Sequence, residues 1–336
     1  PKRDLALIVS EVPATVAGMF TTNQVCAAPV KVCAQRAKSG TAQAIVVNSG
    51  NANACTGKQG LKDALEMTTV LAKQLHMPAE HVLVGSTGRI GVTMPMPNVK
   101  RGILEAVQLL GNDAPHAAEA AEAIMTSDSQ RKEVAVELRL GGKTARIGGI
   151  CKGAGMIQPG MSATGKRPAA LPLHATMLCF ITTDVAIEAK ALQAALREAV
   201  AQSFNRITVD GDMSTNDTVL VLANGLAGNF LLVGDEVTSL KSKQGKVRDS
   251  SRRLLQDFEV FQAALNHICL ELAKMIVRDG EGVHRVVTVR VNGAKTVQDA
   301  DGAARAVANS PLVKTSWHGG DPNWGRIIDA IGYSPA

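Results

Sequence analysis

Aromatic side chains are scarce in this 336-residue chain: Phe, Trp and Tyr together make up 3%, with two Trp and one Tyr. A core built without them is aliphatic, and abundant Ala and Gly allow backbones to approach closely. The six cysteines (Cys26, Cys33, Cys55, Cys151, Cys179, Cys269) form no CxxC pair. Most sit among apolar or small neighbours, as buried free thiols do, which fits a reducing, cytoplasmic compartment better than a disulfide framework. No uninterrupted apolar run reaches about 18 residues, so no membrane span is expected. The chain opens Pro1-Lys2-Arg3, without Met or a secretory pattern, and reads as a trimmed start. The seven histidines show neither HxxxH nor HExxH spacing, so no metal site is indicated, and GxSxG is absent. Net charge is +6, but Lys and Arg alternate with acids and lack interleaved aromatics. That pattern fits a solvated surface and gives nucleic acid little to hold.

What is present is a globular composition, 46% apolar and 20% charged, in a chain long enough for a large buried core. Strand patterns cover Leu5–Ser10, Thr41–Val47, Val82–Val84, Met177–Thr182, Val219–Leu222 and Arg285–Val291, with a hairpin of Glu133–Leu138 and Thr144–Ile150 around Gly141-Gly142. Helical patterns cover Gln59–His76, Asn98–Leu110, Ala117–Met125, Glu188–Ser203, Ser251–Val277 and Val297–Ala308. Strands and helices alternate irregularly, which favours a layered α/β or α+β fold over an all-parallel sheet.

Two motifs mimic known sites. Gly160 to Lys166 matches GxxxxGK, but Arg167 and Pro168 stand where a phosphate loop needs Ser or Thr and a helix, so a flexible loop is the better reading. Asp210-Gly-Asp212-Met-Ser214 starts like a calcium loop, yet Thr215 and Val221 occupy the positions that need Gly and Glu. A buried turn fixing neighbouring backbone is favoured there. The remaining signal is a set of Gly-, Asn- and Thr-rich islands beside predicted strands: Asn48–Gly57, Gly85–Gly91, Met125–Asp128, Lys152–Gly155, Ala175-Thr176, Asp210–Thr218, Asp279–Gly282 and His318–Arg326. Polar loops at strand ends are where sites are usually built. Together they suggest a catalytic surface using Thr. A Thr hydroxyl needs an adjacent base, and an N-terminal α-amine, with a reference pKa of about 7.7–8.0, suits that role near neutrality. Thr176 is internal; a cut before it would supply the amine. As bare sequence, Thr176 also reads as an ordinary strand residue.

Asn48-Ser-Gly-Asn-Ala-Asn-Ala-Cys-Thr-Gly57, Lys152-Gly-Ala-Gly-Met156, Ala175-Thr-Met-Leu178 with Ile181-Thr-Thr-Asp184, Val209 to Thr218, and Asp321-Pro-Asn-Trp-Gly-Arg326 together resemble the ornithine acetyltransferase family of arginine biosynthesis, in the family's order and over nearly the whole chain. The resemblance implies a layered α/β fold similar to N-terminal-nucleophile enzymes of the ornithine acetyltransferase and aminopeptidase type. It implies transfer of acetyl from N2-acetylornithine to glutamate, with acetyl-CoA as a further donor in some members, and no cofactor or metal. It further implies self-cleavage at Ala175–Thr176 into an α chain, residues 1–175, and a β chain, residues 176–336, which stay associated, in dimers of αβ pairs. By the same resemblance Thr176 is the nucleophile, Thr87 and Gly88 form the oxyanion hole, and Thr126, Lys152 and Glu281 contact substrate.

Two features depart from the family pattern. Thirteen residues, Ser162 to His174, intervene before Ala175-Thr176 and contain a second Ala-Thr pair, Ala163-Thr164. The match of Met177–Asp184 downstream favours Thr176. The chain also ends at Ala336, where family members continue. The competing readings are a self-processing amidase or aminopeptidase, with water as acceptor, and a non-catalytic binding protein that stays uncut.

Overall fold

One strand organises the molecule. In a computed structural model that describes residues 3–166, 177–233 and 249–336, β1 (Leu5–Thr21) runs for 17 residues. Its first part pairs antiparallel with β2 (Thr41–Asn51) from Leu5 to Thr15, and its second part with β8 (Thr218–Ala223) from Thr15 to Phe20. Pro13, which has no N–H to give a ladder, falls within the register shift between Val9 and Ala14. The other strands are β3 (Val82–Arg89), the hairpin β4 (Lys132–Leu140) and β5 (Lys143–Lys152), the short β6 (Met161–Ser162) and β7 (Leu178–Thr183). Their order is β3-β2-β1-β8-β7-β5-β4, with β6 on the end of β1. Among the described strands only β2/β3 and β7/β8 pair in parallel, so the mixed, layered α/β expectation holds.

The helices are α1 (Ala28–Arg36), α2 (Gly57–Gln74), α3 (Met96–Val107), α4 (Ala114–Ala123), α5 (Ala189–Gln202), α6 (Asp249–Arg278), α7 (Val297–Asn309), α8 (Pro311–Gly319) and α9 (Trp324–Gly332). Strands β7 and β8 are buried on both faces, which is why their sequences read as continuous apolar runs. Cys179, Ile181, Val219 and Val221 join one core with Leu192 and Leu196 of α5 and Phe261, Leu265 and Leu272 of α6. Leu178, Phe180, Leu220 and Leu222 face the other way, into a second core with Ile45, Val47 and Leu83 of the β2/β3 half. The two halves of the sheet thus stack as middle layers between helices. Gly85 stands at a tight contact between them: a Cβ there would stand 3.1 Å from Phe180 Cζ and 3.2 Å from Val47 Cγ1.

The expected strand at 285–291 does not form. Its β-branched alternation fits a strand, but among the described residues it has no ladder partner, and Val286 and Val287 are 52% and 43% exposed. Strand propensity without a pairing edge is insufficient. Sequence patterning also missed α1, α8 and α9, and the His318–Arg326 island is the junction of α8 and α9. Helix α6 is long and apolar enough by composition to cross a membrane (27 residues, mean hydropathy 1.3), but Phe261, Leu265, Ile268, Leu272 and Ile276 along it are fully buried in the protein core.

Candidate active site

Six of the polar islands, Asn48–Gly57, Gly85–Gly91, Met125–Asp128, Lys152–Gly155, Asp210–Thr218 and Asp279–Gly282, meet where β3 and β5 end and β7 and β8 begin, whereas His318–Arg326 lies apart at the α8/α9 junction. At the end of β3, Ser86 Oγ donates to Asn48 Oδ1 at 2.6 Å, and Ser49 Oγ donates to Ala123 O at 2.8 Å, tying β2 to both β3 and the end of α4. Thr87 is buried beside Ser49, and Gly88, opposite Gly50, adopts φ +127°. A Cβ at Gly88 would run into the backbone of Gly50 and Asn51, so only glycine lets the strands close there.

The segment 210–218 stitches this strand end to β7. Asn216 Nδ2 donates to Ala52 O at 2.6 Å and to Ser86 O at 2.7 Å. The next residue, Asp217, accepts from Met177 N at 2.5 Å through Oδ1, while its Oδ2 is buried without a hydrogen-bond partner among the described residues. Burial pushes the Asp217 carboxyl well above the ordinary carboxylate value, against the opposing pull of the Met177 amide and the Lys152 charge. Asp210 accepts from Met156 N, Ile157 N and Asp212 N at 2.6, 2.8 and 3.0 Å. Its carboxylate is committed to backbone amides, as expected of a turn that fixes its surroundings.

Lys152 ends β5 directly opposite Leu178, the first residue of β7. Lys152 is 2% exposed, and its ammonium donates to Thr126 Oγ1 at 2.7 Å, with Asp128 Oδ2 at 3.7 Å. Burial lowers the Lys152 pKa; Asp128 pulls it back up and Lys132 pushes it further down. Asp128 also accepts from Gly153 N at 2.6 Å and from Thr126 N at 3.0 Å. Lys132, 1% exposed, bridges Asp128 at 2.7 Å and Asp279 at 2.5 Å. Burial pushes the Asp128 carboxyl up, but Lys152, Lys132 and their hydrogen-bonding neighbours together hold it below its ordinary value. Two residues past Asp279, Glu281 donates its amide to Ala154 O at 2.8 Å, and its exposed carboxyl occupies the space a Cβ on Gly155 would need.

Thr126, Lys152 and Glu281 are therefore neighbours around the start of the Lys152–Met156 island. Thr87 and Gly88 stand on a separate strand end joined to that cluster through Asn216, Asp217 and Met177. Ala175 and Thr176 lie outside the described residues, as does most of the Ser162–His174 insertion. The second Ala-Thr pair is described: Ala163-Thr164 follows β6, where Ser162 Oγ donates to Lys166 O at 3.1 Å in a turn. Sequence reasoning did not single out Asp128, Lys132, Asn216, Asp217 or Asp279 for the site. Four of them lie within the polar islands, but Lys132 carried no local signal. A cleft of about 680 Å³ between α7, α8 and residues 281–291 borders Glu281, but none of Thr87, Thr126 or Lys152 lines it.

A sequence model described as the ArgJ family matches residues 1–336. The chain is 48% identical over 335 residues to an arginine biosynthesis bifunctional protein ArgJ of Symbiobacterium thermophilum, covering 100% of this chain and 75% of that protein. It is 47% identical over 339 residues to a glutamate N-acetyltransferase of Methanocaldococcus jannaschii, with the same coverage. Among solved structures, it is similar to an arginine biosynthesis bifunctional protein argJ from Bacillus halodurans, at 44% identity and a TM-score of 0.45, covering 48% of this chain and 84% of that one.

Proposed function

Because the chain belongs to the ArgJ family, we propose that it carries acetyl from N2-acetylornithine to glutamate through an acetyl-Thr176 intermediate, after cutting itself at Ala175–Thr176. The observation that carries this reading is the clamp on Met177. The residue directly after Thr176 is fixed by Asp217, beside the buried Lys152 and one residue away from the Asn216 bridge to the Thr87 strand.

Cleavage frees the α-amine of Thr176, which takes the proton of its own hydroxyl as the oxygen attacks the acetyl carbonyl of acetylornithine. Donors from Thr87 and Gly88 receive the negative charge of the tetrahedral intermediate. Its collapse breaks the C–N bond, the leaving amine takes the proton, and ornithine departs. The amine of glutamate then attacks the acetyl ester and regenerates the Thr176 hydroxyl. Lys152 pairs with a substrate carboxylate and Glu281 with a cationic amine. The reaction as written consumes no cofactor; acetyl-CoA enters only as an alternative donor. The topology supports association of the two chains: β7 and β8 follow the cut yet sit between β1 and β5, which precede it. Two such αβ pairs, in the cytoplasm, complete the reading.

Incubating the purified protein with acetylornithine, with and without glutamate, tests this. Ornithine and acetylglutamate appearing in equal amounts only when glutamate is present is the expected result. Deacetylation at the same rate without glutamate would replace the transferase with an amidase.

A further inference from the structure

The buried charges behind Lys152 have a geometry that substrate contact alone does not require. Four ionic side chains, Lys132, Asp128, Asp279 and Lys152, come from the 126–132 segment, the end of β5 and the segment after α6. Asp128 stands at the centre, with Thr126 N and Lys152 near one oxygen and Gly153 N and Lys132 on the other. Three of these four partners, Thr126, Lys152 and Gly153, belong to or adjoin a residue proposed to touch substrate. Lys132 extends the arrangement to Asp279, which also accepts from Ser129 N at 3.0 Å and lies two residues before Glu281. Buried charges of this kind are costly unless fully paired and often add little to stability, so their retention calls for a role in specifying geometry.

We propose that Asp128 is a positioning residue for acetyl transfer: it holds the Lys152 ammonium and the Thr126 backbone in one fixed arrangement, with Lys132 as the counter-cation that sets how strongly Asp128 acts on Lys152. The ammonium has three N–H groups. One donates to Thr126 Oγ1, and Asp128 Oδ2, 3.7 Å away, holds the charge in place as an ion-pair partner, so the remaining N–H groups are offered to the carboxylate of an amino-acid substrate. Removing Asp128 frees Lys152 to rotate and withdraws the anion that keeps it charged. Removing Lys132 has the opposite electrostatic effect, because Asp128 then acts on Lys152 alone. This inference rests on the reading of Lys152 as a substrate contact.

The groups bearing on Lys152 are Asp128 and Lys132 from the 126–132 segment, Asp217 from the loop before β8 and Cys151 on its own strand. Asp128→Asn is expected to lower kcat/KM by at least about tenfold, mainly through KM for the amino-acid substrate, as expected for loss of one charge-assisted contact. It is also expected to move the alkaline limb of the pH–rate profile to lower pH. The double variant Lys132→Met/Asp279→Asn removes one charge of each sign and is expected to move that limb to higher pH. A purely structural role would leave the limb in place or move it in the same direction in both variants, and either result overturns the proposal. Should Asp128→Asn fail to fold, the double variant decides alone: an upward shift supports the proposal and an unmoved limb overturns it. Lys152→Met separates this from the wider reading. A fully active Lys152→Met enzyme sinks both, whereas an inactive one beside a normal Asp128→Asn enzyme sinks only the positioning role.

Discussion

Asn216 is the joint on which two strand ends depend, and its replacement by Ala should be costly in two separable ways. The side chain is 2% exposed, and its amide group supplies the hydrogen bonds to Ala52 O and Ser86 O at 2.6 and 2.7 Å. Asn216→Ala leaves both buried carbonyls without that donor, at about 1–2 kcal/mol each, so about 2–4 kcal/mol is the expected loss of stability. Asn216→Asp should cost more, because a carboxylate oxygen would then face two carbonyl oxygens. The functional cost follows from Ser86 preceding Thr87. A shift of about 1 Å in a group that must meet a developing charge costs about a hundredfold in rate. Urea unfolding followed by circular dichroism measures the first effect, and initial rates of acetyl transfer on the folded variant measure the second. An Asn216→Ala protein within about 0.5 kcal/mol of the parent and fully active would refute the reasoning.

Other variants probe neighbouring parts. Gly88→Ala places a Cβ against the Gly50–Asn51 backbone at φ +127° and should lose about 1–3 kcal/mol of stability, together with most transfer activity, as read by urea midpoint and initial rate. Asp217 has a raised pKa in the fold, so its contribution to stability is complete below the ordinary value of 3.8 and declines as pH rises through the folded value. Asp217→Asn should therefore gain stability relative to the parent between pH 4 and pH 8, measured as the difference in urea midpoints. Burial pushes the Cys33 and Cys269 thiols up to about 12 and raises Cys151 and Cys179 as well, whereas Cys55 is exposed. Titration of the native protein with a disulfide reagent should label Cys55 first, Cys26 more slowly, and the other four only on unfolding.

The polar islands were legible because sites at strand ends need short side chains and glycines, and those residues leave a local signature. Asp210–Thr218 reads correctly as a turn that fixes backbone, since Asn216, Asp217 and Asp210 all bond to main-chain groups. What they bond to was not legible: Ala52, Ser86 and Met177 lie between 40 and 164 residues away. Lys132 shows the limit most clearly. In sequence it is one more basic residue before a strand, and only the fold surrounds it with Asp128 and Asp279. The strand starts and the long helices followed their periodicity closely, from β2 to α6, but β1, β2 and β3 run on to Thr21, Asn51 and Arg89, past the expected ends at Ser10, Val47 and Val84. Segment 285–291 has equally good strand composition but no pairing edge among the described residues, and pairing is decided by topology rather than local pattern.

The Ala175–Thr176 bond is the most direct point of attack. A denaturing intact-mass spectrum of the purified protein, with N-terminal sequencing of each species, asks whether the chain is cut and where. Two chains, one beginning Thr-Met-Leu-Cys-Phe, are the predicted result, and Thr176→Ala should abolish both the cut and acetyl transfer. A single uncut species of 35.1 kDa, or a fragment beginning Thr-Gly-Lys-Arg at Thr164, would contradict the account.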